Sequence, residues 1–598
     1  MVSSHEGSPL LGRNPDRTTD GFAFPSHEGD GEPRRQADRP ETPRERYPDA
    51  TCVTGTKFQI TRTERAVLFF GIFLVGYVYG LESQVRSTYQ PYATSSFSLH
   101  SRLATINVIR SVMGVAAQPT VAKVADVFGR FKVIAFSVLL YSVGIAIEAS
   151  ANSVELFCAG AVMYQVGYTC SVLLTEVLVA DFSSMRARVF FSYVPALPFV
   201  INTWISGNIT SAVLRTTTWR WGFGMWAIIY PITSLPLLVT LYHIERRARK
   251  YTLLSSSPNS SPHLGSESSS SKLVLQLDIV GLSIIVAALC LILAPLTIAG
   301  GKVGHWSEPH IIAPLVVGVM CIPAFIVWER NGARKPIVPY RLLKDRGVWA
   351  ALSVRCLLNF AWSTQANYLF TVLIVAFDFS VETATRILSF FSFFGVISGL
   401  IMSLVIYRIR RLKYIIVSGT FVFIIAFWLL IQYPGGATDP SRTGLIGAQV
   451  LLGLAAGGFA YPTQASIQAS AMAEHVAILT GLYHSFFNIG AALGSCLSGA
   501  IWSQTLYPVL QSNLAFQPNS SLAEAIYDSP FSVVPNYPVG TNIRDGIIES
   551  YQYVQRILCI AGMCLCVPMI GFALLLRNPK LSENHVQPEA GADDVTEE

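Results

Sequence analysis

Six ionisable side chains interrupt stretches that are otherwise apolar: Glu82, Arg86 four residues on, Arg110, Glu176, Arg355 and His484. A charge inside a long apolar run costs a few kcal/mol on membrane-insertion scales, so each position needs a reason. Glu82 and Arg86 fall on one face of a helix. A carboxylate in such a place can carry a proton, which makes Glu82 and Glu176 the proton-coupling candidates. Arg110 and Arg355 lie too deep in their runs to reach water easily by extending along the helix. Together with Tyr89, Gln165, Asn202, Asn359, Gln365, Tyr461, His484 and Asn488, they are candidates for the lining of a polar cavity. Such a cavity would suit an amide-rich, partly apolar ligand. The plainer readings are internal ion pairs, a satisfied core histidine and the interfacial aromatics of any membrane protein.

A second constellation lies between two apolar runs, where AKVADVFGRFK (Ala122 to Lys132) sets Asp126, Gly129, Arg130 and Lys132 in the spacing D-x-x-G-R-x-K. One acid and two bases on a tight turn at a membrane face suit a charge latch between helices. Asp181, Arg186 and Arg188, on the next connection of the same side, are its expected contacts.

The elements that hold these residues follow from composition. The chain has 598 residues, is 51% hydrophobic and only 13% charged, and its mean hydropathy is +0.45. A soluble chain would be about a quarter charged, so the apolar surface requires a lipid bilayer as partner and the class is an all-α, polytopic membrane protein. Runs of about 20 apolar residues predict fourteen spanning helices, the fifth broken by Pro195 and Pro198. Residues 1–60 read as a disordered tail without a cleavable signal. A six-helix bundle follows over 61–244, then a Ser-rich linker over 245–274. Helices 7–13 fill 275–502, a long loop 503–554, the last helix 555–577 and a short tail 578–598. The connections 122–132, 180–188, 245–274, 329–347 and 408–413 carry far more Lys and Arg than the loops on the opposite side. The positive-inside rule therefore places them, and both termini, in the cytosol, and the 503–554 loop outside. Asn208 and Asn519 stand in N-x-[ST] acceptor patterns for glycosylation.

Several chemistries find no support. The net charge of +6 is spread over loops and is no nucleic-acid footprint. There is no GxxxxGK[ST], HExxH or GxSxG motif, so neither an enzyme nor an ATP-driven pump is expected. Ten cysteines show no metal spacing, and neither a cofactor nor a resident metal is expected. The glycines near Gly453–Gly458 and Gly490–Gly499 lie in apolar helices, where they allow close packing.

The Ala122–Lys132 stretch resembles the loop between the second and third helices of the major facilitator superfamily, with Ala122 where a Gly is usual. YGLESQVRSTYQPYATSSF (Tyr79 to Phe97) and LATINVIRSVMGVAAQPTVAKVADVFGR resemble the fungal siderophore–iron transporters of that superfamily. That family usually has Asp at the position of Glu82. ADFSSMRAR (Ala180 to Arg188) and YPVGTNIRDGIIESYQYVQRILCI (Tyr537 to Ile560) are similar to the same family, and the likeness covers about residues 60–580. The resemblance implies two six-helix bundles plus two extra helices, with alternating access around a central site. It further implies proton-coupled import of an intact ferric siderophore, of hydroxamate type, across the plasma membrane or an endosomal one. Substrate contacts are expected in the central cavity and in the outer loop before the last helix, in a monomer. The competing readings are a fourteen-helix proton antiporter exporting drugs or toxins and a glutathione–proton exchanger. The exporters' Gly-Pro-x-x-Gly-Gly element is missing from the fifth helix, SYVPALPFVINTWISGNIT.

Overall fold

The computed structural model describes residues 51–53, 56–58, 61–182, 194–255, 278–300, 306–333, 343–409, 411–469, 476–517 and 521–578. Within the stretch read as a tail, Thr51–Val53 and Thr56–Phe58 pair as a two-stranded antiparallel ribbon. Among the described residues, everything else regular is helical. The first half consists of α1 (Arg62–Ser96), α2 (Leu103–Phe128), α3 (Arg130–Ser150), α4 (Val154–Phe182), α5 (Pro198–Thr216) and α6 (Trp219–Ser255). A hairpin of α7 (Ile279–Ile298) and α8 (Pro309–Val327) follows. The second half holds α9 (Arg346–Ala366), α10 (Leu369–Val375), α11 (Val381–Ile409), α12 (Lys413–Gln432) and α13 (Asp439–Ala469). It ends with α14 (Val476–Asn513), the short α15 (Ser521–Asp528) and α16 (Pro530–Val533), and α17 (Asn542–Leu575).

Among the described residues, eleven helices are long and apolar enough to cross a membrane: α1, α3, α4, α6, α7, α8, α11 to α14 and α17. Helices α2, α5 and α9 are of spanning length but more polar, carrying Arg110, Asn202 and Arg355 among others. Each half has its own apolar core, one around Tyr141, Tyr164 and Tyr230, the other around Tyr368, Phe427 and Trp502. The halves meet through α2 against α14 and α5 against α11.

Several helices outrun the apolar runs that announce them. Helix α1 continues through Pro91 to Ser96, so Glu82 and Arg86 lie inside the bundle, well before the helix ends. Helix α6 carries its basic stretch to Ser255, where Arg247 pairs with Glu64 at 2.7 Å. The region 503–554 is largely helical, with α14 running to Asn513 and α17 starting at Asn542. Polar helix-formers at these ends mark exit from lipid, and hydropathy alone registers that as the end of the helix. The ninth predicted segment breaks at Asn367 and Tyr368 into α9 and α10. Pro198 begins α5, where its missing N–H costs nothing.

The two ends of the molecule are named here by residues they carry. At the His100 face, α1 passes through a short turn of 3-10 helix, His100–Arg102, into α2. At the Gly129 face, α2 turns into α3 at Gly129, whose φ of +89° is one that side chains with a Cβ rarely adopt.

Candidate functional site

A cavity of about 540 Å³ lies between the halves. Of the residues expected to line it, Arg110, Gln165, Arg355, Asn359, Tyr461, His484 and Asn488 do so, and so does Glu176, a proton-coupling candidate. Tyr89, Asn202 and Gln365 do not. Tyr89 is buried between α1 and α6, edge-on to Phe223. Asn202 donates to the Tyr77 carbonyl of α1 at 3.0 Å. Gln365 is tied into the second half, accepting from Gln449 through its side chain and from Gln555 through its backbone. A polar residue in an apolar run either faces a cavity or satisfies a neighbouring helix; Asn202 and Gln365 do the second, while Tyr89 packs its ring in the core with its hydroxyl left without a described partner.

Glu82 lies behind the cavity wall, in a network the sequence reading only half anticipates. Arg86 Nε donates to Glu82 at 2.6 Å, and its two terminal nitrogens donate to Glu148 at 2.7 and 2.8 Å. Tyr164 and Tyr141 donate to the other Glu82 oxygen at 2.6 and 3.2 Å. Glu82 and Glu148 are fully buried. Glu148 ends the apolar run of α3 just before Ser150, so by pattern it reads as a solvated helix end. The signal that could have found it is an acid placed opposite Arg86, and only the packing shows that.

Glycines set this geometry. A Cβ on Gly144 would overlap the Tyr164 backbone nitrogen, one on Gly160 would lie 2.8 Å from the Glu148 nitrogen, and one on Gly167 would overlap that of Tyr141. Three glycines thus bring the backbones of α3 and α4 together at the three residues that join the Arg86 network from those helices, the close approach that small residues permit between membrane helices.

Arg110 is held by amides, with no carboxylate among its described bonds. It donates to Gln165 at 3.2 Å and Gln90 at 3.3 Å, and its guanidinium carbon lies 5.3 Å from the Tyr164 ring centroid. From Gln90 the bonds continue: Gln90 donates to Asn107 at 3.0 Å, and Asn107 to Asn367 of the second half at 2.6 Å. Asn367 stands at the break between α9 and α10. Across the same face, Thr88 meets Thr385 at 2.9 Å, His100 meets Thr371 at 3.0 Å and Tyr368 donates to the Ser101 carbonyl at 2.9 Å. Ser529 donates to the Ser95 carbonyl at 2.8 Å, and Phe531 stacks on Tyr92 with centroids 4.5 Å apart. The described contacts therefore join the halves at the His100 face.

The cavity is chemically two-sided. The first half presents Ser83, Ser87, Gln90, Asn107, Arg110 and Gln165; the second adds an apolar wall of Trp362, Phe370, Phe391 and Phe487. Trp362 stacks on Phe391 at 4.9 Å. Toward the Gly129 face lies the pair Glu176–His484, 2.9 Å apart, beside Arg355. The Arg355 guanidinium sits 4.5 Å from the Phe487 centroid and its Nε has no described partner.

Of the latch, Gly129 carries the predicted turn and Lys132 lies exposed on α3. A Cβ at Gly129 would lie 3.2 Å from a carboxylate oxygen of Glu245 on α6. Arg130 is part-buried at the start of α3. The side chains of Asp126 and Asp181, and residues Arg186 and Arg188, lie outside the described residues, as does Asn519. Asn208 is inside α5, accepting from Arg386 at 2.6 Å, with Thr210 of its acceptor pattern buried.

Two bundles enclosing a central cavity define a class of solute carriers. The profile of the Major Facilitator Superfamily matches residues 68–495, and the chain belongs to that superfamily. Within it the chain groups with the fungal siderophore iron transporters. Siderophore iron transporter 1 of Saccharomyces cerevisiae is 41% identical over 87% of this chain and 82% of its own length. MFS siderochrome iron transporter C of Aspergillus fumigatus is 32% identical over 88% and 86%. The fold is similar to a bacterial homologue of the human lysosomal transporter Spinster in an inward-facing, occupied conformation. There the TM-score is 0.53 at 13% identity, covering 86% of this chain and 97% of that one.

Proposed function

We propose that this chain imports intact ferric siderophores of hydroxamate type by proton symport with alternating access. The observation that carries the reading is the two-sided cavity, seen beside relatives named for siderophore iron. A tris-hydroxamate complex is a neutral, oxygen-rich ball with apolar flanks. The amides and Arg110 would take its oxygens and the Trp362–Phe391 wall its carbon surface, while the siderophore itself supplies the ligands to iron. The side that carries most of the basic connections would be cytosolic, which puts the Gly129 face inside and the His100 face outside. Helices α2, α5 and α9 would complete fourteen spans.

The Arg86 network is the proposed proton site. With both carboxylates ionised it holds two negative charges against one guanidinium, so one proton makes it neutral. Burial forbids water from doing that work. Arg110 feels the change through Tyr164, and the chain Arg110–Gln90–Asn107–Asn367 links that arginine to the closure at the His100 face. The membrane potential supplies about 2.3 kcal/mol per charge per 100 mV, enough for one or two protons to drive accumulation.

The test is expression in a cell lacking siderophore carriers, supplied with labelled iron in several ferric siderophores, with and without a protonophore. Accumulation abolished by the protonophore is expected. Drug resistance without iron uptake would favour the exporter, and glutathione exchange the third reading.

A further inference from the structure

The ion pair between Glu176 and His484 spans 308 positions of sequence and joins α4 of the first half to α14 of the second. Both side chains line the cavity, largely buried, on its Gly129 side. Around them the halves already touch: Ser485 donates to the Val115 carbonyl of α2 at 3.5 Å, and Asn488 packs against Gly114 of α2. Asn488 also donates to the His484 carbonyl at 3.0 Å, which steadies the turn that aims the imidazole. We propose that Glu176 and His484 form a clasp between the halves that holds the Gly129 end of the cavity shut when the imidazole carries a proton and slackens when it does not.

The physical reason is the difference in strength between the charged and the neutral form of one bond. An imidazolium donating to a carboxylate makes a charge-assisted bond about twice as strong as its neutral counterpart. Imidazole is also the one side chain whose ordinary charge change falls between about pH 5 and 8. Among the described residues, the other titratable and charged groups near the pair are Arg355 from α9, Tyr79 from α1, Tyr461 from α13 and Tyr483 from α14. Arg355 is the only cation among them. Once the imidazole is neutral, Arg355 is the group positioned to take the Glu176 carboxylate, and the bond between the halves is then exchanged for one on the cavity wall. His484 acts here as a positioning residue, through Glu176. The clasp rests on the transport reading above for its purpose, and its test keeps the two apart.

The experiment is hydrogen exchange of the purified full chain in lipid nanodiscs, followed by mass spectrometry. The peptides of interest cover residues 170–182 and 476–486, compared at about pH 6 and about pH 8 after correction for intrinsic rates. In the wild type these segments should exchange about tenfold more slowly at the lower pH. H484Q and E176Q should exchange at the faster rate at both values, and H484R should stay protected at both. Wild-type protection at the lower pH in both H484Q and E176Q would overturn the clasp. Uptake of a labelled ferric trihydroxamate supplies the second reading: H484Q should lose the pH profile of uptake that the wild type shows. If the wild type takes up no siderophore but the exchange pattern holds, the transport reading fails and the clasp stands. If uptake is normal and the exchange pattern is absent, the clasp fails alone.

Discussion

Arg86 and Glu148, on different helices and 62 residues apart, face each other through two parallel N–H···O bonds of 2.7 and 2.8 Å. That fork-to-fork geometry is the strongest arrangement available to the two groups, yet Glu82 shares the same guanidinium at 2.6 Å. Two acids thus depend on one base inside the first half.

Removing the base should therefore cost far more than removing one acid. In R86Q two buried carboxylates lose their counter-ion, a loss of roughly 3–5 kcal/mol. Thermal unfolding of the purified protein should show a large drop in midpoint. E148Q keeps the shape and removes one negative charge; it should fold with a near-normal midpoint and import siderophore with a flattened pH profile. An unchanged profile would remove Glu148 from the proton site.

The α3–α4 contact gives an independent handle on the same network. G144A forces the added methyl against the Tyr164 backbone, and overpacking of this kind costs about 1–3 kcal/mol. The expected result is reduced thermal stability together with E148Q-like pH behaviour, because Glu148 and Tyr164 are pushed off register with Arg86. G571A, at a position with nothing within 4 Å of the added carbon, should change neither.

Two aromatic or cationic residues separate cavity from core. R355A takes away a guanidinium that lines the cavity with one nitrogen unpartnered. Its apparent KM for the ferric siderophore should rise about tenfold, the worth of one hydrogen bond to a charged group. Y89F changes a side chain buried between α1 and α6 and should leave KM as it was. Uptake titrations of the two variants side by side distinguish them.

His100 makes a prediction about pH and stability. Burial lowers its pKa to about 4, below the usual value for the imidazole of an unfolded chain, about 6.5. Between those values the unfolded chain binds the extra proton, so stability rises with pH across the window and is lost as pH falls toward about 4. The full effect is of order 3 kcal/mol. H100Q should flatten the acid side of the stability curve, measured as unfolding midpoint against pH.

What the sequence could and could not show follows from the range of each signal. Hydropathy located the helices because lipid acts on every residue of a run, and it placed Arg110, Glu176, Arg355 and His484 as anomalies. It misjudged helix ends, as at Ser96 and Ser255, where polar residues continue the helix beyond lipid. It also could not tell a side chain facing the cavity from one packed against a neighbouring helix, as Tyr89 is, or bonded to one, as Asn202 and Gln365 are. Glu148 was lost because an acid at the end of an apolar run looks solvated until Arg86 is seen opposite. The partnership of Glu176 with His484 has no local trace at all.

The hairpin of α7 and α8 makes the two seams between the halves unequal. On one seam α7 packs on both α2 and α14, with Thr105 meeting Thr297 at 2.8 Å and Cys496 donating to the Leu293 carbonyl. The opposite seam, α5 against α11, has Trp204 edge-on to Phe393 and the Asn208–Arg386 bond, and no such cover among the described residues. In a bilayer, lipid would therefore meet the α5–α11 seam directly, whereas α7 stands between lipid and the α2–α14 seam.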